Sequence, residues 1–335
     1  MPLHIVGISG GRVWRTTRIS EKGGWTPWND IFAAGAGPLP VGHTLNEIGC
    51  ALVDDAGRRL HICVSSDNDG LFHTIELAPG AFQPWGDAAA VAFSNLQLDS
   101  RVDCAGMGNQ LHVCVAGRPR PGSLLPAVWR SIRIPTGWSP PRAVSSNYLT
   151  ITNVACAAVP NGSSTELHVL SRVDTGGQVE LIHNIWLPTG NQQPLGDQDM
   201  IPVVLGLSGR IFSMSATGFA NALDVVVSDG INLFHTRRTP TMWSALINLR
   251  AMIQPSFSGP LQVPACAIVG GNLHICATSN GSIMHAIRLA NGTFHNPESS
   301  PGSVFGDVTG TVLTGANGSI PPPSFSQIAC AGDPF

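Results

Sequence analysis

A chain of 335 residues with a formal net charge of −3, 12% charged and 43% apolar residues has the material for a sizeable core and is unlike a disordered segment. Its arginines are scattered and Lys22 is its only lysine, so there is no electrostatic footprint for nucleic acid or an anionic membrane surface. No window nears the roughly 18 consecutive apolar residues of a membrane span, and no basic stretch leads into an apolar region at the start, so neither membrane insertion nor a secretory signal is expected; the expected location is cytoplasmic, or outside the cell by a non-classical route.

The first element is the run around Leu3-His4-Ile5, followed beyond Gly10-Gly11 by Val13-Trp14-Arg15, by Arg18, and by Trp25 and Trp28 after a turn. That order returns five times. Leu60-His61-Ile62 leads to Leu71-Phe72-His73, Glu76, Phe82 and Trp85; Leu111-His112-Val113 leads to Val128-Trp129-Arg130, Arg133 and Trp138. Leu167-His168-Val169 leads to Leu181-Ile182-His183 and Trp186, then to Gln192-Gln193-Pro194 where the other copies have an aromatic. Leu223-Asp224-Val225 leads to Leu233-Phe234-His235, Arg238 and Trp243, and Leu273-His274-Ile275 to Ile283-Met284-His285, Arg288 and Phe294. A further run, with Cys before a small residue, comes ahead of the triplet at Cys50, Cys104, Cys156 and Cys266, and again at Cys330; Ser215 stands nearby in the fifth copy.

The triplets start 50 to 57 residues apart, a period that marks blades or solenoid units. Each copy holds four short runs rich in β-branched and aromatic residues, none with helical periodicity, so four strands and no helix are expected. Asn-Gly at Asn161, Asn280, Asn291 and Asn317 and Asp-Gly at Asp69 and Asp229 supply tight hairpin turns, and the turn also accounts for the Asn-Gly-Ser/Thr sequons at those asparagines. The expected fold is all-β: a six-bladed β-propeller of four-stranded antiparallel blades, one domain over residues 1–335. Blades are expected to start near 47, 101, 152, 211 and 262, with a split blade made of 1–32 plus 324–335. The run Phe325 to Ala331 resembles a first strand and should pair with the N-terminal blade, closing the ring.

The eight cysteines trade with Leu, Val or Ser between copies and are expected to be buried free thiols rather than a disulfide framework. The repeated histidines His4, His61, His112, His168 and His274 would be spread round a ring, with no ligand spacing within a strand, so no metal site is expected; they are read as structural groups bonded to a neighbouring blade or loop. No nucleophile elbow, phosphate loop or paired-carboxylate pattern is present, no cofactor is implied, and carboxylates such as Glu47, Asp103, Glu166 and Asp224 fall mostly in turns. Segments Ser65 to Phe72 and Ser228 to Phe234 miss the Ser-x-Asp-x-Gly spacing of a sialidase Asp box.

What a ring multiplies is a binding site. The aromatics Trp25, Trp28, Phe82, Trp85, Trp138, Trp243 and Phe294 are expected near the fourth strands, bordering the next blade. The third-strand residues Arg15, His73, Arg130, His235 and His285, with Arg18, Arg133, Arg238 and Arg288, are expected in the same crevices. An aromatic face beside Arg or His donors suits a sugar, whose C–H face packs on the ring while its hydroxyls take directed hydrogen bonds. Trp14 and Trp129 read as core, copies one to three as the most complete, and copy four as silent. A protein-interaction platform using the long loops, and an enzyme with unique carboxylates converging at one end of a central tunnel, are the other two readings.

The consensus, first-strand C-A, then L-H-[IV], then G-x-[LV]-[FW]-[HR], then G-x-[WF]-x-P-W-x-D, best seen at Gly11 to Asp30 and Gly70 to Asp87, resembles the blades of the Photorhabdus-type propeller lectins and the related tectonin-like repeats. The resemblance implies a glycan-binding protein with interblade sites, often for fucose or methylated sugars, and commonly a homo-oligomer. Those lectins mostly have seven blades, and the Arg/Glu/Trp pattern of six-bladed fucose lectins is not matched here.

Overall fold

The structure is a computed structural model that describes residues 2–19, 24–120, 125–145, 148–174, 179–187, 211–253, 259–295, 305–315 and 324–333. It is a six-bladed β-propeller. The second blade has strands Leu45–Val53, Arg59–Ser66 and Leu71–Ala78, and an outer strand in two short pieces, Ala81–Phe82 and Gly86–Asp87. The third, fifth and sixth blades repeat this from first strands Leu96–Met107, Ser213–Phe219 and Pro264–Val269. In the fourth blade the described strands are Thr150–Asn161, Ser164–Asp174 and Val179–Trp186, and the Gln192 to Pro194 segment lies outside the described residues, as does Asn317. The first blade is the split one: Phe325–Gly332 pairs antiparallel with Leu3–Ser9, which pairs with Arg12–Arg18.

Innermost strands touch in sequence round the ring, the last against Phe325–Gly332 and that against Leu45–Val53, so the circle closes. Six apolar clusters hold it, one at each junction between neighbouring blades, which is why strands such as Leu3–Ser9 are buried along their whole length. The eight cysteines are free, seven of them buried, and they fill these clusters.

A closed ring of sheets still leaves each innermost strand with an unpaired edge facing the axis. Side chains of the preceding blade cap it: the N–H groups of Val102, Cys156, Met214 and Cys266 donate to Glu47 (3.2 Å), Asp103 (2.8 Å), Asn153 (3.2 Å) and Ser215 (3.1 Å). These polar residues in otherwise apolar first strands thus satisfy buried backbone donors.

The expectation of no helix is corrected. Short helices Ala88–Ala92, Leu249–Ile253 and Val308–Gly315, and a π-helical turn Phe32–Ala36, follow the outer strands. Each is started by the Asp or Asn that ends the outer strand: Asp87 accepts from Ala90 N–H, Asn248 from Ala251, Asp307 from Gly310 and Asp30 from Phe32. Segments this short carry too few turns to show a 3.6-residue period, so the cap residue was their only signal.

Candidate functional site: the crevices between blades

Every blade presents the same diagonal pair to the next blade. His4, His61, His112, His168, Asp224 and His274 of the second strands lie directly opposite Thr17, Ile75, Ile132, Ile185, Arg237 and Ile287. Two residues earlier on the same third strands, and so on the same face, come Arg15, His73, Arg130, His183, His235 and His285. Five of these pairs are hydrogen-bonded: Arg15 Nη2 to His4 Nδ1 (3.1 Å), His61 Nδ1 with His73 Nε2 (3.1 Å), His168 with His183 (2.9 Å), His235 Nε2 with Asp224 Oδ1 (2.8 Å), and His274 with His285 (3.0 Å). Four second-strand histidines bond across their own blade, where a neighbouring blade or a loop was expected, and His61 also meets the loop carboxylate of Asp55 at 3.2 Å. Burial lowers His4 and His112 to about 3, with Arg15 and Arg130 adding to the effect, and His61 to about 4, so these three are neutral.

The next blade covers each pair with its own outer face. Trp25 of the first blade stands edge-on to His285 of the sixth at 5.6 Å, Trp138 of the third to His73 of the second at 5.5 Å, and Trp243 of the fifth to His183 of the fourth at 5.6 Å. Aromatic residues therefore border the preceding blade, not the next, and this corrects the sequence expectation. Arg15 and Arg18 are three residues apart on one strand and point to opposite faces; Trp25 bridges Arg18 and shares its side. Basic and aromatic residues of one copy hence serve two different crevices.

Arg18, Arg133 and Arg238 accompany those tryptophans; burial lowers the affinity of His274 and His73 for a proton, and the facing Arg18 and Arg133 add a smaller push in the same direction. The other three crevices are filled differently. Arg15 forms an ion pair with Glu76 of the second blade at 3.0 Å, and Arg130 lies 4.5 Å from the ring centre of Trp186. In the fifth-to-sixth crevice the buried Asp224 and His235 face a blade edged by Arg288 and Phe294, which are paired with each other. Trp186 stands at the register position that Arg18, Arg133 and Arg238 hold in blades one, three and five.

Among the candidate residues, Arg15, Arg18, His73, Arg130, His235 and His285 are buried. Arg133, Arg238, Arg288, Trp25, Trp138, Trp243 and Phe294 are half-buried at the crevice mouths. Trp28 is core, tilted on Phe325 at 4.8 Å, Phe82 is buried in the junction of blades one and two, and Trp85 packs edge-on to Phe32. Trp14 and Trp129 are half-buried against the core, with Nε1 donating to Ser9 O and Gly117 O.

One crevice opens into a cavity. Between blades four and five a space of about 90 Å³ is lined by Glu166 and His168 on one side and Asn221 and Arg238 on the other, with Asn161 at its rim donating to Glu166 Oε1 at 2.8 Å. The sequence marks Asn161 only as a hairpin-turn residue and Glu166 only as an ordinary carboxylate, and does not single out Asn221, because none of the three repeats between copies. A wider funnel of about 360 Å³ enters the central channel past Asp54, Arg58 and Thr165. At the opposite end of the channel Glu47 and Asp103 converge, and burial raises Asp103 to about 7. Among the described residues no group of three or more His, Cys, Asp or Glu is placed to hold a metal ion, and no helix is long and apolar enough to cross a membrane.

No family profile matches the sequence, and no curated protein resembles it in sequence. Solved structures share its fold. A fucose-specific lectin from Aleuria aurantia superposes with a TM-score of 0.61 at 12% identity, covering 91% of each chain. A mutant of that lectin in complex with Fucalpha1-6GlcNAc gives 0.60 at 11% identity, covering 90% of this chain and 94% of the other.

Proposed function

We propose that this chain is a multivalent carbohydrate-binding protein without catalytic activity, its sites lying in the crevices between blades. The observation that carries the reading is the recurrence of a half-buried tryptophan bonded in register to an arginine, Trp25 on Arg18, Trp138 on Arg133 and Trp243 on Arg238. A ring surface beside fixed donors is what a sugar's apolar face and hydroxyls use together. Each site offers a small contact area, so useful affinity comes from several sites engaging one glycan-bearing surface. The shared fold with a fucose-specific lectin makes fucose and methylated sugars the ligands to try first.

Catalysis in the channel is disfavoured by what its carboxylates already do. Glu47 is ion-paired with Arg101 and accepts from Val102 N–H, while Asp103 accepts from both Cys104 and Cys156 N–H at 2.8 Å. Both serve as caps for the inner strands.

On a glycan array the protein is expected to bind a terminal monosaccharide, and Trp138→Ala and Trp25→Ala each to weaken binding about tenfold while circular dichroism and melting remain close to the parent. Binding to no glycan, with both variants misfolded, returns these residues to packing and leaves the protein-interaction reading.

A further inference from the structure

The six crevices are of two kinds that alternate round the ring. Where an even blade meets the following odd blade, the residues at equivalent positions are the same in all three cases. From the even blade come a valine closing the first hairpin, the His–His pair and an isoleucine opposite it: Val159, His168, His183 and Ile185 in blade four. Blade two supplies Val53, His61, His73 and Ile75. Blade six supplies Val269, His274, His285 and Ile287.

From the odd blade come a leucine paired with an arginine that is paired in turn with a tryptophan. These are Leu223, Arg238 and Trp243 in blade five, Leu111, Arg133 and Trp138 in blade three, and Leu3, Arg18 and Trp25 in blade one. At the odd-to-even crevices the leucine recurs as Leu60, Leu167 and Leu273, and a second-strand histidine as His4 and His112, but neither the His–His pair nor the Arg–Trp pair does: the arginine position reads Glu76, Trp186 and Arg288, the last paired with Phe294. Two of those are bridged by the Arg15–Glu76 ion pair and the Arg130–Trp186 contact. Packing alone asks for volume and apolarity at such positions. It does not ask for the same two imidazoles, guanidinium and indole three times over.

We infer that the protein carries three equivalent ligand sites, at its even-to-odd crevices, each taking the ring of a monosaccharide, and that the odd-to-even crevices are structural. This rests on the carbohydrate-binding reading and sharpens it from six sites to three. Blades four and five show the site in its open form: the cavity there is walled by Val159, His168, Ile185, Leu223 and Arg238, five members of the repeated set. Its rim residue Glu166, with Arg238 across from it, sets the ligand class at this copy. A neutral sugar offers one hydroxyl to accept from the guanidinium and another to donate to the carboxylate, whereas an acidic sugar would bring its charge against Glu166. The position of Glu166 is held by Arg59 in blade two and Asn272 in blade six, so the three sites share a floor and differ at the rim.

The test is native mass spectrometry of the full chain with L-fucose, an O-methylated fucose, D-galactose, D-mannose and N-acetylneuraminic acid, followed by a crystal soak in the best neutral sugar. Saturation at three equivalents, with sugar only in the crevices of blades two–three, four–five and six–one, is the expected result. Arg238→Gln and Glu166→Gln should each weaken one of the three about tenfold, leaving the other two. Sugar in an odd-to-even crevice, any other saturating count, or a count of three that neither variant perturbs overturns the inference while leaving carbohydrate binding intact. Failure of every sugar to bind overturns the carbohydrate reading itself.

Discussion

Lowering the pH from 7 to 5 is expected to destabilise this protein by several kcal/mol and to lower its Tm. His4 and His112, held to about 3, and His61, held to about 4, are neutral in the folded protein throughout that interval, whereas in the unfolded chain they charge below about 6.5. A folded pKa below the unfolded one means that the stabilisation is complete above the unfolded value and is lost as pH falls. At pH 5 each such histidine has removed about 2 kcal/mol relative to pH 7, or about 6 kcal/mol for the three. His73 and His274 are shifted in the same direction by burial and add to the loss. Asp103 works the other way. Raised to about 7 by burial, it takes up a proton in the fold and returns about 2 kcal/mol over the same interval. The three histidines less Asp103 leave about 4 kcal/mol, to which His73 and His274 add and from which Glu47, also raised by burial, subtracts; a whole domain's stability is about 5–15 kcal/mol. Thermal melting followed by circular dichroism at pH 7 and at pH 5 checks this; an unchanged Tm would show that the imidazoles are not the buried neutral groups described.

The second large effect is expected at Gly106, where an Ala substitution should destabilise the protein by about 3 kcal/mol or more. The inner strands of blades two and three approach so closely there that an added Cβ would collide with the carbonyl oxygen of Leu52, a backbone atom with nowhere to move. The same contact recurs between Gly218 and Ala158 O and between Gly332 and Ile268 O, again at the even-to-odd junctions. Gly106→Ala should lower Tm by several degrees or prevent ring closure and leave aggregated material. By contrast, Gly11→Ala, at a solvent-facing hairpin turn where a Cβ would meet nothing within 4 Å, is expected to cost only the strain of its positive φ of 71°. Equal melting of the two variants would remove the close-approach argument.

The carbohydrate reading and the count of three sites stand on different legs. Trp25 and Trp138 test whether the crevices bind anything. Arg238 and the occupied positions in a soaked crystal test which crevices do. Glu47 and Asp103 at the channel end supply the third reading's requirement of converging carboxylates, yet their oxygens are committed to backbone N–H groups of the next blade.

The fold was legible because its information is local. Each copy carries its own strands and turns within about one period, so the count of six could be read from the spacing of the triplets, and the closure by Phe325–Gly332 from the likeness of that run to a first strand. The three-residue step from Arg15 to Arg18 even encodes which face each occupies, since side chains alternate along a strand. What the chain did not display was which copies meet. His285 and Trp25 are brought together only by ring closure, and Glu166 and Arg238 only by the stacking of blades four and five, so a crevice is owned by no single repeat. Pairing of blades into even-to-odd and odd-to-even junctions was therefore decided by tertiary structure: it depends on contacts between faces of different sheets, which a repeat aligned only to itself does not contain.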